Sequence, residues 1–225
     1  EMYWSWEVAF DVLPQLAKGV VVTVQATIVA SLLAYVLGLG IAILKMSKSK
    51  LLRIVLYWTT EFIRRTPILV QLYIVFYVLP DYGIFFEAFT CGVLVLGIHF
   101  STYTAEVFRA GIDNVPKGQW EGAFALNFTP AKRMRKIIIP QIFPIILPPA
   151  ANLTVELLKA TALVALVTVV DLTFEAKQIN SITWLSAQCF GTALLIYYIM
   201  ARFALVPFLR WLEVLAARKV GKEKI

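Results

Sequence analysis

Charged side chains are scarce enough in this 225-residue sequence that each one inside an apolar stretch needs a chemical reason. Glu61, Arg64 and Arg65 run into Thr66-Pro67, with Gln71 just beyond; Glu106 sits late in another apolar run. Asn152, Glu156, Lys159 and Thr161 share a third, and Asp171 opens a polar stretch after it. An ionised group at membrane depth is costly unless it is paired or wet, so these residues point to ion pairs or to the binding of a charged solute. Glu61 and Arg65 are four apart and pair on one helix face; Glu156 and Lys159, three apart, do the same. For Glu156 two readings stay open. It serves Lys159 as a structural partner, or it faces a cavity and meets the cationic part of a zwitterion, with Arg65 or Lys159 for the carboxylate. Glu106 reads as a structural ion pair with Arg64, Arg65 or Arg109. Covalent chemistry has no foundation, because no nucleophile–base set or metal set is present. His99 is the single histidine, and Cys91 and Cys189 fall in apolar segments, as buried free thiols do.

The elements that must position these groups are membrane helices. The sequence is 60% hydrophobic and only 16% charged, with a mean hydropathy of +0.78, whereas a soluble domain carries about a quarter charged residues. About 20 apolar residues cross the hydrocarbon, and five stretches qualify: 16–44, 54–79, 89–112, 137–168 and 184–208. The fold class is therefore all-α and polytopic, one membrane domain over 1–225 without internal repeats. No signal-peptide pattern opens the chain, so the first span is expected to act as its own signal-anchor. Thr23, Thr27, Ser31, Gly38 and Gly40 give that span small residues for helix packing. Pro67 removes a backbone donor and turns Thr66 away from helix, so the second span breaks or bends there. Its charges also fit a cytoplasmic helix that precedes a shorter span from Thr66. Pro140, Pro144, Pro148 and Pro149 predict an irregular entry to the fourth.

Net charge +7 does not imply nucleic acid, because the cations are confined. The loop 45–53, the loop 109–136 and the tail 210–225 hold four, six and five of the 21 Lys and Arg residues. These stretches alternate correctly for five spans, which places the N-terminus outside and the C-terminus inside.

The central basic loop contains a local structure of its own. Pro116 and Gly118 interrupt the preceding segment, and a short helix over 118–127 follows. Glu121 suits the positive end of its dipole, and Asn127 suits the left-handed exit. Thr129-Pro130 reads as cap and first residue of the next helix, which carries Lys132, Arg133, Arg135 and Lys136. A short exposed helix braced on both sides at a membrane surface is a docking knob for another protein.

Glu121-Gly122-Ala123, followed by Ile139-Pro140, resembles the EAA loop of ABC importer permeases. Val115-Pro116-Lys117-Gly118-Gln119-Trp120 and Ile138-Ile139-Pro140-Gln141 narrow the likeness to the polar amino-acid uptake family. Arg64-Arg65-Thr66-Pro67-Ile68-Leu69-Val70-Gln71-Leu72 and Tyr103-Thr104-Ala105-Glu106-Val107-Phe108-Arg109-Ala110-Gly111 match further motifs of that family, as does Asn152 to Leu163. Gly122, Asn127, Arg65, Ala160 and Asp171 replace the residues usual there. The carboxylate expected at Ala160 has a counterpart one turn earlier, in Glu156.

The resemblance implies a type I ABC importer fold in a bacterial inner membrane. It makes Pro116 to Ala123, Leu126 and Asn127 the coupling element, with Ala123 and Leu126 filling a groove of the ATPase. It offers Arg65, Thr66, Gln71, Asn152, Glu156, Lys159, Thr161 and Asp171 as the translocation path. The implied partners are a second permease, identical or homologous, two ATP-binding subunits and an extracytoplasmic solute-binding protein. The chain has no GxxxxGK[ST] loop, so no cofactor is expected in it, and ATP and magnesium would be bound by the partner ATPase. The expected cargo is a small polar zwitterion, an amino acid or an ectoine-like solute. Two other classes compete: an ion-coupled carrier, which Glu106 and Glu156 favour and the missing repeat disfavours, and a membrane enzyme, which lacks its catalytic set.

Overall fold

The computed structural model describes residues 4–219 (side chains to 216), and among them there are only helices and their connections. Glu1, Lys222 and Lys224, used in the charge reading, lie outside the described residues. In chain order the helices are α1 (Trp6–Asp11), α2 (Leu13–Leu44), α3 (Lys50–Arg65), α4 (Ile68–Tyr73), α5 (Ala88–Asp113) and α6 (Lys117–Ala125). They continue as α7 (Pro130–Arg133), α8 (Ile139–Ala160), α9 (Leu172–Thr183), α10 (Ser186–Ile199) and α11 (Val206–Lys219).

The long helix α2 is the spine, and its small residues explain why. Ala26, Ala30, Ala34, Gly38 and Ala42 recur at helical spacing, are mostly inaccessible and face α5. Small side chains let two backbones approach, which favours dispersion contacts where lipid offers no hydrophobic drive. At the closest point the Thr104 hydroxyl donates to the Ala34 carbonyl at 2.7 Å, and a Cβ at Gly38 would strike the Thr104 side chain. Gly40, by contrast, meets nothing. The other end of α2 packs on α9, where a Cβ at Gly19 would lie 2.6 Å from the Asp171 carbonyl oxygen.

The second predicted span is two helices. α3 ends at Arg65, Thr66 is extended (φ −99°, ψ 145°), and the chain resumes at an angle of 101°. Proline forbids the hydrogen bond to Ile63 and turns its predecessor extended. The Gln71 amide takes over, donating to the orphaned Ile63 carbonyl at 2.7 Å and to the Thr66 hydroxyl at 2.7 Å. α3 itself is amphipathic, and it qualifies as a membrane span only together with Ile68–Tyr82, as one bent pair. The break expected at Thr66-Pro67 is present, and among the described residues four helices are long and apolar enough to cross, or five if the bent pair is one span.

The fourth span carries its irregularity inside a continuous helix rather than as a broken entry. Pro130–Val167 is long and apolar enough to cross. It contains a π-helical segment at Met134–Ile138 just before Pro140, then Pro144, Pro148 and Pro149 within α8. A wide turn ahead of a proline accommodates the missing donor. The polar stretch that Asp171 opens is helical. α9 fills it, burying Leu172, Ala176 and Ile179 with Leu16 and Cys189.

Candidate functional site

Two polar regions stand out: the connection between α5 and α7, and one face of α8. In the first, α6 spans nine residues. It starts at Lys117, one residue earlier than expected, so Gly118 lies within it and Glu121 sits in its second turn instead of near its positive end. The exit is as predicted. Asn127 has φ 53°, the Phe128 amide donates to the Ala123 carbonyl at 3.1 Å and the Asn127 amide to Phe124 at 2.9 Å. This pair of bonds around a left-handed residue is a Schellman closure. Thr129 then caps α7 through the Lys132 amide, with Pro130 at its first position.

The helix is also fixed from below. Trp120 packs on the core formed by Ile112, Val115, Ile138, Ile142 and Ile146, and Gln141 donates to Gln119 at 3.0 Å. Ala123 points the same way and is 2% exposed. It cannot fill a partner's groove, because its own chain already covers it. The apolar surface left outward is Phe124 and Leu126, 70% and 67% exposed. Pattern reading missed Phe124, although Trp120 and Ala123, three apart, mark the inward face and leave position 124 off it. Arg133 and Lys132 sit over the Phe124 and Phe128 rings, at 5.7 Å and 4.1 Å. Pro116, Lys117, Gly118, Glu121, Gly122 and Asn127 are all exposed.

On α8, Asn152, Glu156 and Lys159 lie at i, i+4 and i+7, so they share one face, and all three are exposed. Glu156 and Lys159 pair at 2.6 Å with side chains 59% and 58% accessible. The structural pairing of the sequence reading is present, and the pair stays open to a solute. Thr161 is buried and bonded to the Leu158 carbonyl, so it leaves this face.

Other path candidates separate as well. Arg65 is exposed and pairs with Glu61 at 2.6 Å, and Arg64 pairs with the same carboxylate. Thr66 and Gln71 are committed to the bend, and the Gln71 amide oxygen meets His99 Nδ1 at 3.2 Å. Asp171 is buried as the cap of α9, accepting from the Phe174 amide at 2.8 Å and from the Tyr197 hydroxyl at 3.1 Å. Burial pushes its carboxyl up to about 6. It serves architecture and does not reach the α8 face.

Glu106 forms an ion pair, but with Lys45 at 2.8 Å instead of Arg64, Arg65 or Arg109. Arg64 is held by Glu61, and Arg109 lies 3.7 Å from Asp113. No spacing rule relates Lys45 to Glu106, 61 positions apart; packing of α2 on α5 brings them together. Cys91 and Cys189 are buried free thiols, as expected.

Residues 34–220 match the family of binding-protein-dependent transport system inner membrane components. A probable amino-acid ABC transporter permease, y4tG of Sinorhizobium fredii, is 38% identical over 78% of this chain and 76% of its own length. The L-cystine transport system permease TcyB of Bacillus subtilis is 34% identical over 75% of this chain and 72% of its own. A solved amino acid ABC transporter with histidines superposes with a TM-score of 0.84 at 35% identity, covering 94% of this chain and 98% of that one.

Proposed function

The chain belongs to the family of binding-protein-dependent transport system inner membrane components, and we propose that it is the membrane-spanning permease subunit of an ATP-driven amino-acid importer. One observation carries the mechanism: α6 is a short exposed helix fixed at both ends and rooted in the core beneath it. Push such a helix and the push reaches α5 and α8 without being lost in loop motion, because the Schellman closure and the Trp120 contacts leave it no independent freedom. The chain hydrolyses no ATP itself; a separate ATPase binds ATP and magnesium and seats α6 in its groove. Phe124 and Leu126 supply the apolar contact, and Glu121 the polar one.

The assembly has a second permease, identical or homologous, two such ATPases and an extracytoplasmic binding protein. It sits in the bacterial inner membrane with the N-terminus outside and α6 in the cytoplasm, as the confinement of cations to three alternating stretches requires. The cargo is a small polar zwitterion. Support comes from the amino-acid designations of the relatives and from the exposed Glu156–Lys159 pair, which offers one charge of each sign.

Phe124→Asp combined with Leu126→Asp tests the coupling. Uptake into cells or proteoliposomes should be lost, while membrane insertion and thermal midpoint stay unchanged and the ATPase no longer co-purifies. A variant that still binds the ATPase and transports would overturn the assignment. A panel of labelled neutral, cationic and anionic amino acids and ectoine then identifies the cargo.

A further inference from the structure

A cavity of about 490 Å³ lies where the end of α2, the first turns of α3 and the end of α5 converge, far larger than a single ion needs. Lys45, Lys50, Arg53 and Arg109 line it, against one carboxylate, Asp113. Two of these cations are already matched: Lys45 by Glu106 at 2.8 Å and Arg109 by Asp113 at 3.7 Å. Lys50 and Arg53 have no carboxylate within salt-bridge reach among the described residues. The cavity therefore holds unmatched positive charge and suits an anion.

Its walls say which kind. Tyr57 and Trp58 line the same cavity, edge to face at 5.6 Å, and both are exposed. Such rings favour the boundary between headgroup and acyl chain. α3 also exposes Leu51, Ile54 and Val55 beside its cations, and it meets the apolar segment that follows at 101°. A helix lying along a membrane surface, apolar on one side and cationic beside it, meets both halves of a lipid. We propose that this cavity binds the phosphodiester headgroup of an anionic phospholipid, with Lys50 and Arg53 as donors and Trp58 against the glycerol and upper acyl chain. Basic pockets between membrane helices on the cytoplasmic side attract such headgroups. A free phosphate would use the two cations and leave the aromatic wall unused. Only the leaflet assignment rests on the orientation proposed above; the chemistry of the cavity does not.

The test is lipid retention by the purified full-length chain in detergent, read by native mass spectrometry, which needs neither the ATPase nor a sided membrane. With equal amounts of phosphatidylglycerol and phosphatidylcholine, phosphatidylglycerol adducts should exceed phosphatidylcholine adducts about tenfold, the factor that ~1.4 kcal/mol gives. Lys50→Gln with Arg53→Gln should bring the two to parity, and Arg210→Gln on α11, exposed and far along the chain, should leave the preference intact. Equal retention of both lipids by the wild-type chain overturns the proposal, whatever the variants do. So does an unchanged preference in the double variant, an equal loss in Arg210→Gln, or displacement of phosphatidylglycerol by millimolar inorganic phosphate, which would mark a free-anion site. Failed transport with intact lipid preference would count against the permease reading alone.

Discussion

Glu106 and Glu156 each hold a lysine ammonium, at 2.8 Å and 2.6 Å, yet they do different things. The Lys45 side chain is 8% exposed and its partner lies on another helix, so that pair stitches α2 to α5. Glu156 and Lys159 are neighbours on one helix, both more than half exposed, and join nothing that α8 does not already join. A desolvated charge left without its partner is expensive; an exposed pair gains little because water serves either ion nearly as well. Distance alone does not reveal a carboxylate's job. What lies on the far side of the bond does.

The largest effect separating them is on stability. Glu106→Gln strands the Lys45 ammonium and should cost ~3 kcal/mol, seen as a lower midpoint in thermal or denaturant unfolding of the detergent-solubilised chain. Adding Lys45→Met should recover most of that loss, since removing both charges also removes the desolvation. An unchanged midpoint for Glu106→Gln would erase the contrast.

Asp171 sharpens the comparison, because it is buried and answered by hydrogen bonds instead of a cation. Below pH ~4, where the carboxyl is protonated, Asp171→Ala loses the cap of α9 and should cost about 1–2 kcal/mol, while Asp171→Asn, which also caps, should stay within a few tenths. Its pH behaviour should run opposite to that of a salt-bridged carboxylate. The folded-state value is raised to about 6 from an unfolded value near ~3.9. The native state therefore holds the proton more tightly, and the contribution to stability is complete below pH ~4 and lost as pH rises through ~6. The wild type minus Asp171→Asn difference in unfolding free energy should fall across that window; a flat or rising difference would contradict the buried-cap account.

Smallest of all is Glu156→Gln. Its effect on stability should stay within ~0.5 kcal/mol, while uptake of cationic or zwitterionic solutes weakens relative to anionic ones. A loss of stability as large as that of Glu106→Gln would make Glu156 a stitch as well. A variant indistinguishable from wild type in uptake would remove it from the path.

The chain wrote its local structure openly. The left-handed exit at Asn127, the Thr129-Pro130 cap, the break at Thr66-Pro67 and the Glu61–Arg65 pair all follow from interactions within about four residues, whose geometry one helix turn fixes. The long apolar stretches and the confinement of cations likewise required only counting, because the bilayer imposes one length on every crossing. Family motifs located the short helix α6 for the same reason.

Tertiary packing decided the rest. Nothing near position 106 names Lys45, and nothing near 171 names Tyr197; each pair is created by two helices that meet far apart in the chain. Ala123 looked available to a partner until the fold buried it, which left Phe124 outward in its place. Gln71 looked free for a solute until Pro67 left the Ile63 carbonyl without a donor. The polar stretch opened by Asp171 has no visible partner in one dimension, whereas α2 and α10 supply the apolar surface against which α9 folds. Sequence determines which charges an apolar chain carries and which turn each occupies; only packing decides whether a charge is closed inside the protein or left open to what passes.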